Sequence, residues 1–522
     1  MKYVKNTNRK SNKDKHSQSK HSQSKHSQSK QTRKNKRTRK SKRSRRSSGG
    51  RAVDAGSYGC VFNPAIKCAN STEPYNSKNI SKLMYAEDTQ GELDEMAKVK
   101  KIIADIPNKE NYFIISNTYT CKPEKLGKED LTDFDKECNL FTKRGINSAN
   151  VNSQLNKLAL IVMPNGGLNI EKFVEEIVKL DDKAMYSSFA QMNEALIQLL
   201  INGIVPLNAR KFNHYDIKYA NILMSADGHA RLIDWGLAGA NDGVHIPEAI
   251  EDRSIAFNMP FSDIFFNKYV KNWLPEALNQ IKGSVNFNNK SAGQAELLKI
   301  VAINMINKSI EQTSEGHYDY IITGILHDIY KIYAIQNNYS RLDYNVLSYN
   351  ALIEYIQAVL LNFVDENGNF NDTKYFYEVF AKNVDIWGFL LSYVPMIEHG
   401  VGQFHPDIIN GVCRILLKYC FSSEFAAKPI VVADLVLDLR SLNMITADIM
   451  KKIKTLIQPK KQNIKMTDQL LSKVKNNQMR LSNPKQQIKY KATHDRTERK
   501  SQIKDQEISL PQDDDNIEDI SL

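Results

Sequence analysis

The chain has 522 residues, 41 % hydrophobic and 25 % charged, with a formal net charge of +13. That length can bury a large core and hold two or three domains. No run of about 18 apolar residues stands out, so no membrane span is expected. The chain start does not read as a signal peptide. The six scattered cysteines, Cys60, Cys68, Cys121, Cys138, Cys413 and Cys420, include no Cys-x-x-Cys pair, so reduced thiols are expected.

The charge is unevenly placed. Residues 1–50 hold 19 Lys/Arg against one acid, Asp14, and residues 451–522 are also net basic, which leaves the body between them net acidic. The first 50 residues have few apolar side chains and carry three copies of Lys-His-Ser-Gln-Ser at 15–19, 20–24 and 25–29. Such a segment cannot offset the entropy of ordering, so a disordered basic arm is expected. Its charge suits either a solvated tail or contact with nucleic acid.

Order is expected from Arg51. Val53-Asp54-Ala55-Gly56-Ser57-Tyr58-Gly59-Cys60-Val61 reads as strand, glycine turn and strand. Two lysines follow. Lys67 is only eight residues beyond Gly59, too few to finish a strand, turn and run back. Lys82, central in the apolar Ile80–Met84, is preferred as a strand lysine. Glu92–Ile106 has helical periodicity up to Pro107. Glu92 or Glu95 can pair with Lys82, and Glu95 is preferred as nearer the middle of that helix. Leu158–Met163 reads as a buried strand before Pro164-Asn165-Gly166-Gly167.

The densest chemistry lies in His214-Tyr215-Asp216-Ile217-Lys218-Tyr219-Ala220-Asn221 and Leu232-Ile233-Asp234-Trp235-Gly236. Asp216 can accept a hydroxyl proton, and Lys218 can reach a transferring phosphate. Asn221 and Asp234 offer hard oxygens to Mg²⁺. The pair Asp227-Gly228 between short apolar runs predicts a hairpin that brings Asp234 back to Asn221. A second His-Tyr-Asp at 317–319 lacks the Lys and Asn spacing and reads as ordinary helix or loop. Residues from about 268 to 374 look helical. Asp385-Ile386-Trp387 opens another helix, in which Asp385 serves either as a cap or as a buried brace, and Arg440 falls near the end of the fold.

These motifs together resemble the eukaryotic-type serine/threonine protein kinases. Gly-Ser-Tyr-Gly-Cys-Val-Phe, Ile-Ser-Lys-Leu-Met and Phe-Asn-Met-Pro-Phe-Ser are similar to segments of the kinases of giant DNA viruses of the mimivirus type. The resemblance implies an α+β, bilobal fold over 51–445. Its small β-rich N-lobe covers 51–163, and its large helical C-lobe covers 164–445 with an insertion at about 268–374. A flexible charged tail, 446–522, follows. It also implies ATP under the turn Val53–Val61, anchored by Lys82, with adenine near Ile161–Met163 and Mg²⁺ on Asn221 and Asp234. Asp216 and Lys218 become the catalytic pair, Asp385 the brace of the catalytic loop, and protein Ser/Thr hydroxyls the acceptors. The implied location is the virion or the host cytoplasm. Three departures stand out: Tyr215 where Arg is usual, Trp235 where Phe is usual, and no Ala-Pro-Glu after Arg253–Phe261. Two other readings share parts of the pattern. One is a small-molecule kinase of the aminoglycoside or choline type. The other is a catalytically silent scaffold whose basic arm binds nucleic acid.

Overall fold

The computed structural model describes residues 50–56, 59–71, 78–283, 292–336 and 343–456. The basic arm through residue 49, Ser57, Tyr58 and the tail from 457 lie outside them. The fold is mixed α and β, with a small antiparallel sheet region and a larger helical region.

Strands β1 (Arg51–Gly56), β2 (Gly59–Asn63), β3 (Asn79–Tyr85), β4 (Tyr119–Cys121) and β5 (Leu158–Pro164) form one sheet in the order β1-β2-β3-β5-β4. Helix α1 (Ala86–Ile102) continues straight out of β3. It starts six residues before the expected Glu92 and stops short of Pro107. The register sets the sheet's two faces. Val61, Lys82 and Ile161 are cross-strand partners, and so are Cys60, Leu83 and Leu160. Strand side chains alternate between faces, so these two rows point opposite ways.

The Cys60 row is buried under residues 122–157. Phe134, Cys138, Phe141 and Val151 pack there against Phe62, Leu83, Leu158 and Leu160. Each buried Phe contributes roughly 2 kcal/mol of transfer free energy, and Phe134 stacks on Phe141 at 6.2 Å. The disulfide Cys60–Cys138 ties this cover to the sheet, and a second, Cys68–Cys121, ties the loop after β2 to β4. The expectation of reduced thiols fails for these four. The sequence separations, 78 and 53 residues, gave no local spacing that could signal them. Cys413 and Cys420 are free and buried.

The helical region begins with β6 (Leu168–Asn169) and α2 (Ile170–Ile177), where Asn169 caps Lys172 N at 2.9 Å. Helix α3 (Asp182–Leu199) is capped by Asp181. Two short sheets follow, from β7 (Phe212–Asn213) with β10 (Gly239–Ala240), and from β6, β8 (Ile222–Met224) and β9 (Ala230–Leu232). Beyond them lie α4 (Lys268–Lys282), α5 (Ala292–Gln312), α6 (His327–Gln336), α7 (Tyr344–Phe363), α8 (Ala381–Leu391), α9 (Pro406–Leu416) and α10 (Val432–Leu456). Among the described residues one helix, α7, is long and apolar enough to cross a membrane by length and composition only, a test that the core helix of a soluble protein also passes. Its Leu352, Ile353, Ile356, Val359 and Leu360 are buried in the helical core. Helix α10 runs past the boundary expected at 445, burying Leu435, Leu439, Leu442 and Ile449.

Candidate active site

The hairpin read from Asp227-Gly228 forms. Ile222 pairs with Leu232, and Gly228 takes the positive φ of +85° that the turn demands. Arg231 bridges to Asp227 at 2.7 Å and pulls its carboxyl down to about 2. The return strand puts Ile233 N on the Asn221 carbonyl at 3.1 Å, so Asp234 follows directly beside Asn221.

Asp216 is buried and fully engaged. Its Oδ1 accepts from Lys218 Nζ at 3.1 Å and Asn258 Nδ2 at 2.9 Å. Its Oδ2 accepts from Lys218 Nζ at 2.9 Å and Asn221 Nδ2 at 3.0 Å. A carboxylate offers about four lone-pair sites, and here protein donors address all of them. Asn221 spends its amide on Asp216, with a second bond to the Asp216 carbonyl at 2.8 Å, and keeps its Oδ1 available. Asp234 sits at φ +65°, exposed, with no hydrogen-bond partner among the described residues.

A buried brace holds the loop. Asp385, from α8, accepts Tyr215 N at 3.0 Å on Oδ1. Its Oδ2 takes His214 N at 2.9 Å, Asn213 Nδ2 at 3.1 Å and Asn208 Nδ2 at 2.6 Å. A plain helix cap would bond its own helix; this carboxylate instead ties backbone 170 residues away. His214 donates from Nε2 to the Ile233 carbonyl at 3.0 Å and accepts Asp216 N on Nδ1 at 3.3 Å, and one tautomer satisfies both. Its ring lies 4.8 Å from that of Trp235, which lies 5.6 Å from Phe113, so an aromatic column links the loop to the strand side.

Lys82 lies mid-β3 and pairs with Glu92 at 2.6 Å, with side-chain exposures of 14 % and 23 %. The preference for Glu95 is therefore wrong. Glu95 is nearer the middle of α1, but it is Glu92 that faces β3, while Glu95 turns to Lys98 at 2.7 Å on the solvent side. Lys67 is exposed in the loop after β2.

The glycine-turn residues divide. Val53 is skipped in the β1–β2 register and is 42 % exposed. Asp54 and Ala55 continue β1 opposite Val61 and Cys60, and Gly56 pairs with Gly59 across the turn. Ser57 and Tyr58 lie outside the described residues. Gly59 is required because a Cβ there would come within 2.5 Å of the Leu83 carbonyl. The Cys60 side chain is buried in the disulfide to Cys138 on the far face, which leaves its backbone to face the turn.

Several residues of the site were not anticipated. Asn258 touches Asp216 from a segment that has no Ala-Pro-Glu to set its register. Tyr215 is buried, and its phenol donates to Asn241 Oδ1; burial pushes that phenol well above its usual pKa, so it remains a donor. Arg253 Nη1 donates to the Tyr215 carbonyl at 2.8 Å. The second His-Tyr-Asp lies in a turn that runs into a helix, as expected, and His317 N bonds the Ile255 carbonyl at 2.8 Å. Compared with models of known protein families and with curated proteins, the chain matches none.

Proposed function

We propose that this chain is an ATP-dependent serine/threonine protein kinase. On this reading the five-stranded sheet with α1 is the smaller lobe of a protein-kinase-like fold, and the helical region is the larger. The observation that carries the reading is the Asp216 carboxylate held by Lys218, Asn221 and Asn258, with Asp234 returned beside Asn221 by the hairpin. The Lys82–Glu92 pair adds an ammonium fixed for phosphate, on the sheet face opposite the disulfide-tied cover.

Phosphoryl transfer asks the protein for position and charge. Lys218 spans both oxygens of Asp216. A γ-phosphate offers Nζ a more highly charged partner, and turning to it leaves Asp216 an acceptor site for the proton of the incoming hydroxyl. Asn258 and Asn221 keep the carboxylate aimed meanwhile. Asn221 Oδ1 and the Asp234 carboxylate are hard oxygen donors that fit Mg²⁺, which when bound neutralises phosphate charge. The contact of Lys218 with Asp216 favours a protein hydroxyl over the small-molecule alternative, and the complete set of catalytic groups argues against a silent scaffold.

The test is incubation of the purified protein with γ-labelled ATP, Mg²⁺ and basic and acidic protein acceptors. Label on serine or threonine is expected. Label found only on small amines or alcohols, or on nothing, overturns the reading.

A further inference from the structure

The segment Arg253–Met259 carries Asn258 to Asp216, yet the chain has no Ala-Pro-Glu to anchor it. A turn of the insertion meets it instead. Ser314 Oγ lies 2.9 Å from Ser254 Oγ. His317 N donates to the Ile255 carbonyl at 2.8 Å, and Phe257 N donates back to His317 Nδ1 at 3.4 Å. Gly316 stands at φ +53°, and a Cβ there would fall 2.3 Å from the Ile255 carbonyl, so this approach requires glycine. The Phe257 ring is enclosed by Tyr219 at 5.5 Å, His317 at 5.4 Å and Tyr320 at 5.6 Å. Its carbonyl accepts Trp387 Nε1 at 3.1 Å. Phe257 is thus held at its amide, its ring and its carbonyl, one residue before Asn258.

We propose that His317 is a positioning residue and that the turn Ser314–Tyr320 is a clamp within the chain, fixing residues 254–258 so that Asn258 stays on Asp216. The clamp rests on the kinase reading for its consequence, though not for its geometry. It does the holding that a phosphate on this segment would otherwise do, and it explains how an insertion between Asp234 and the Asp385 helix serves the site. The acceptor form of His317 is the neutral ring. Partial burial, and then the charge on Lys218, push its pKa below the usual imidazole value; Arg253 acts the same way and Asp216 opposes.

The experiment compares full-length wild type with His317→Ala, His317→Asn and Gly316→Val in three measurements: phosphotransfer to a protein acceptor, Mg²⁺-ATP affinity, and amide hydrogen exchange at 254–258. Loss of aim at the carboxylate is expected to cost about 10- to 100-fold in kcat in His317→Ala and Gly316→Val, with ATP affinity unchanged and Phe257 exchange accelerated. His317→Asn keeps an acceptor near the Nδ1 position and is expected to recover most of the rate and the protection. His317 is exposed, so its truncation leaves the core intact, and Gly316→Val reports on the clamp without touching the imidazole. Wild-type protection at Phe257 in both disrupted variants overturns the proposal, as does His317→Asn behaving like His317→Ala. If the wild type transfers no phosphate, the exchange data still decide the clamp separately from the kinase reading.

Discussion

Lys82 Nζ lies 2.6 Å from Glu92 Oε2, a bond between the middle of β3 and the helix that leaves that strand. The pair is only partly exposed, so solvent weakens it less than a surface bridge. It holds the ammonium in one place on the sheet face lined by Val61 and Ile161.

Removing that ammonium should therefore be costly. Lys82→Met is expected to cut phosphotransfer by about 10²-fold or more, the scale of a lost electrostatic contact to the reacting group. Lys67→Met should stay within about a factor of two, as for other exposed side chains away from special features. Glu92→Gln should fall between them, and Glu95→Gln should match wild type. Steady-state rates with ATP as the varied substrate check all four, and a larger defect in Lys67→Met would contradict the assignment.

Much of the candidate site was legible because its signal is local. Asp216, Lys218 and Asn221 sit at fixed spacing, and Asp227-Gly228 announces the hairpin that returns Asp234. Asp385 stood out beside Ile386-Trp387, although the helix that carries it opens earlier, at Ala381. What was missed depends on long-range contact or on an unmarked boundary. Tyr85 precedes α1 without a side-chain cap, so nothing in the sequence marked the helix start, and the choice between Glu92 and Glu95 turned on which helix face meets β3. The cover of residues 122–157, tied down by Cys60–Cys138, folds back over the sheet from far along the chain. Asn258 meets Asp216, and His317 meets Phe257, only through long-range packing that neither Phe-Asn-Met-Pro-Phe-Ser nor the second His-Tyr-Asp announces.

Phosphorylation of the segment after Asp234 should not be needed for activity. The position that usually offers an Arg to a phosphate is Tyr215, whose buried phenol is bonded to Asn241, and Arg253 is committed to the Tyr215 carbonyl. Phosphatase-treated enzyme is expected to keep most of its rate. A phosphate on Ser254 would displace its bond to Ser314 and lower the rate. A large loss after phosphatase, restored by rephosphorylation at Ser254, would contradict this.

Asp263 should limit stability at higher pH. It is 3 % exposed, and both its carboxyl oxygens lack a hydrogen-bond partner among the described residues. Burial raises its pKa well above the usual carboxylate value, with the Arg253 charge opposing. Between the ordinary value and the raised one the folded protein binds more protons than the unfolded chain, so stability falls as pH rises through that window. Asp263→Asn is neutral at every pH and is expected to raise Tm, by more at pH 8 than at pH 5. Calorimetry at both values checks this, and a Tm difference that shrinks with rising pH would contradict it.

The basic arm should bind polyanions, and the body should not. Residues 1–50 hold 19 Lys/Arg against one acid, the largest share of the chain's excess positive charge, while 51–450 are net acidic. Binding to duplex DNA is expected to weaken with salt, with a log–log slope of about −0.9 per neutralised phosphate and several phosphates engaged. Deleting residues 1–50 should abolish this binding and leave phosphotransfer to a short peptide intact. Equal DNA binding by the truncated protein, or binding indifferent to salt, would contradict the assignment.

In the proposed reaction Asp216 takes the acceptor proton in phosphoryl transfer from ATP. Single-turnover transfer from γ-labelled ATP to a Ser/Thr protein acceptor, by wild type and by Asp216→Asn, tests it most directly. The expected result is phosphoserine or phosphothreonine from the wild type, and transfer slowed by about 10²–10⁴-fold in the variant, the usual worth of a positioned general base, with ATP still bound. Equal rates in the two proteins would contradict it.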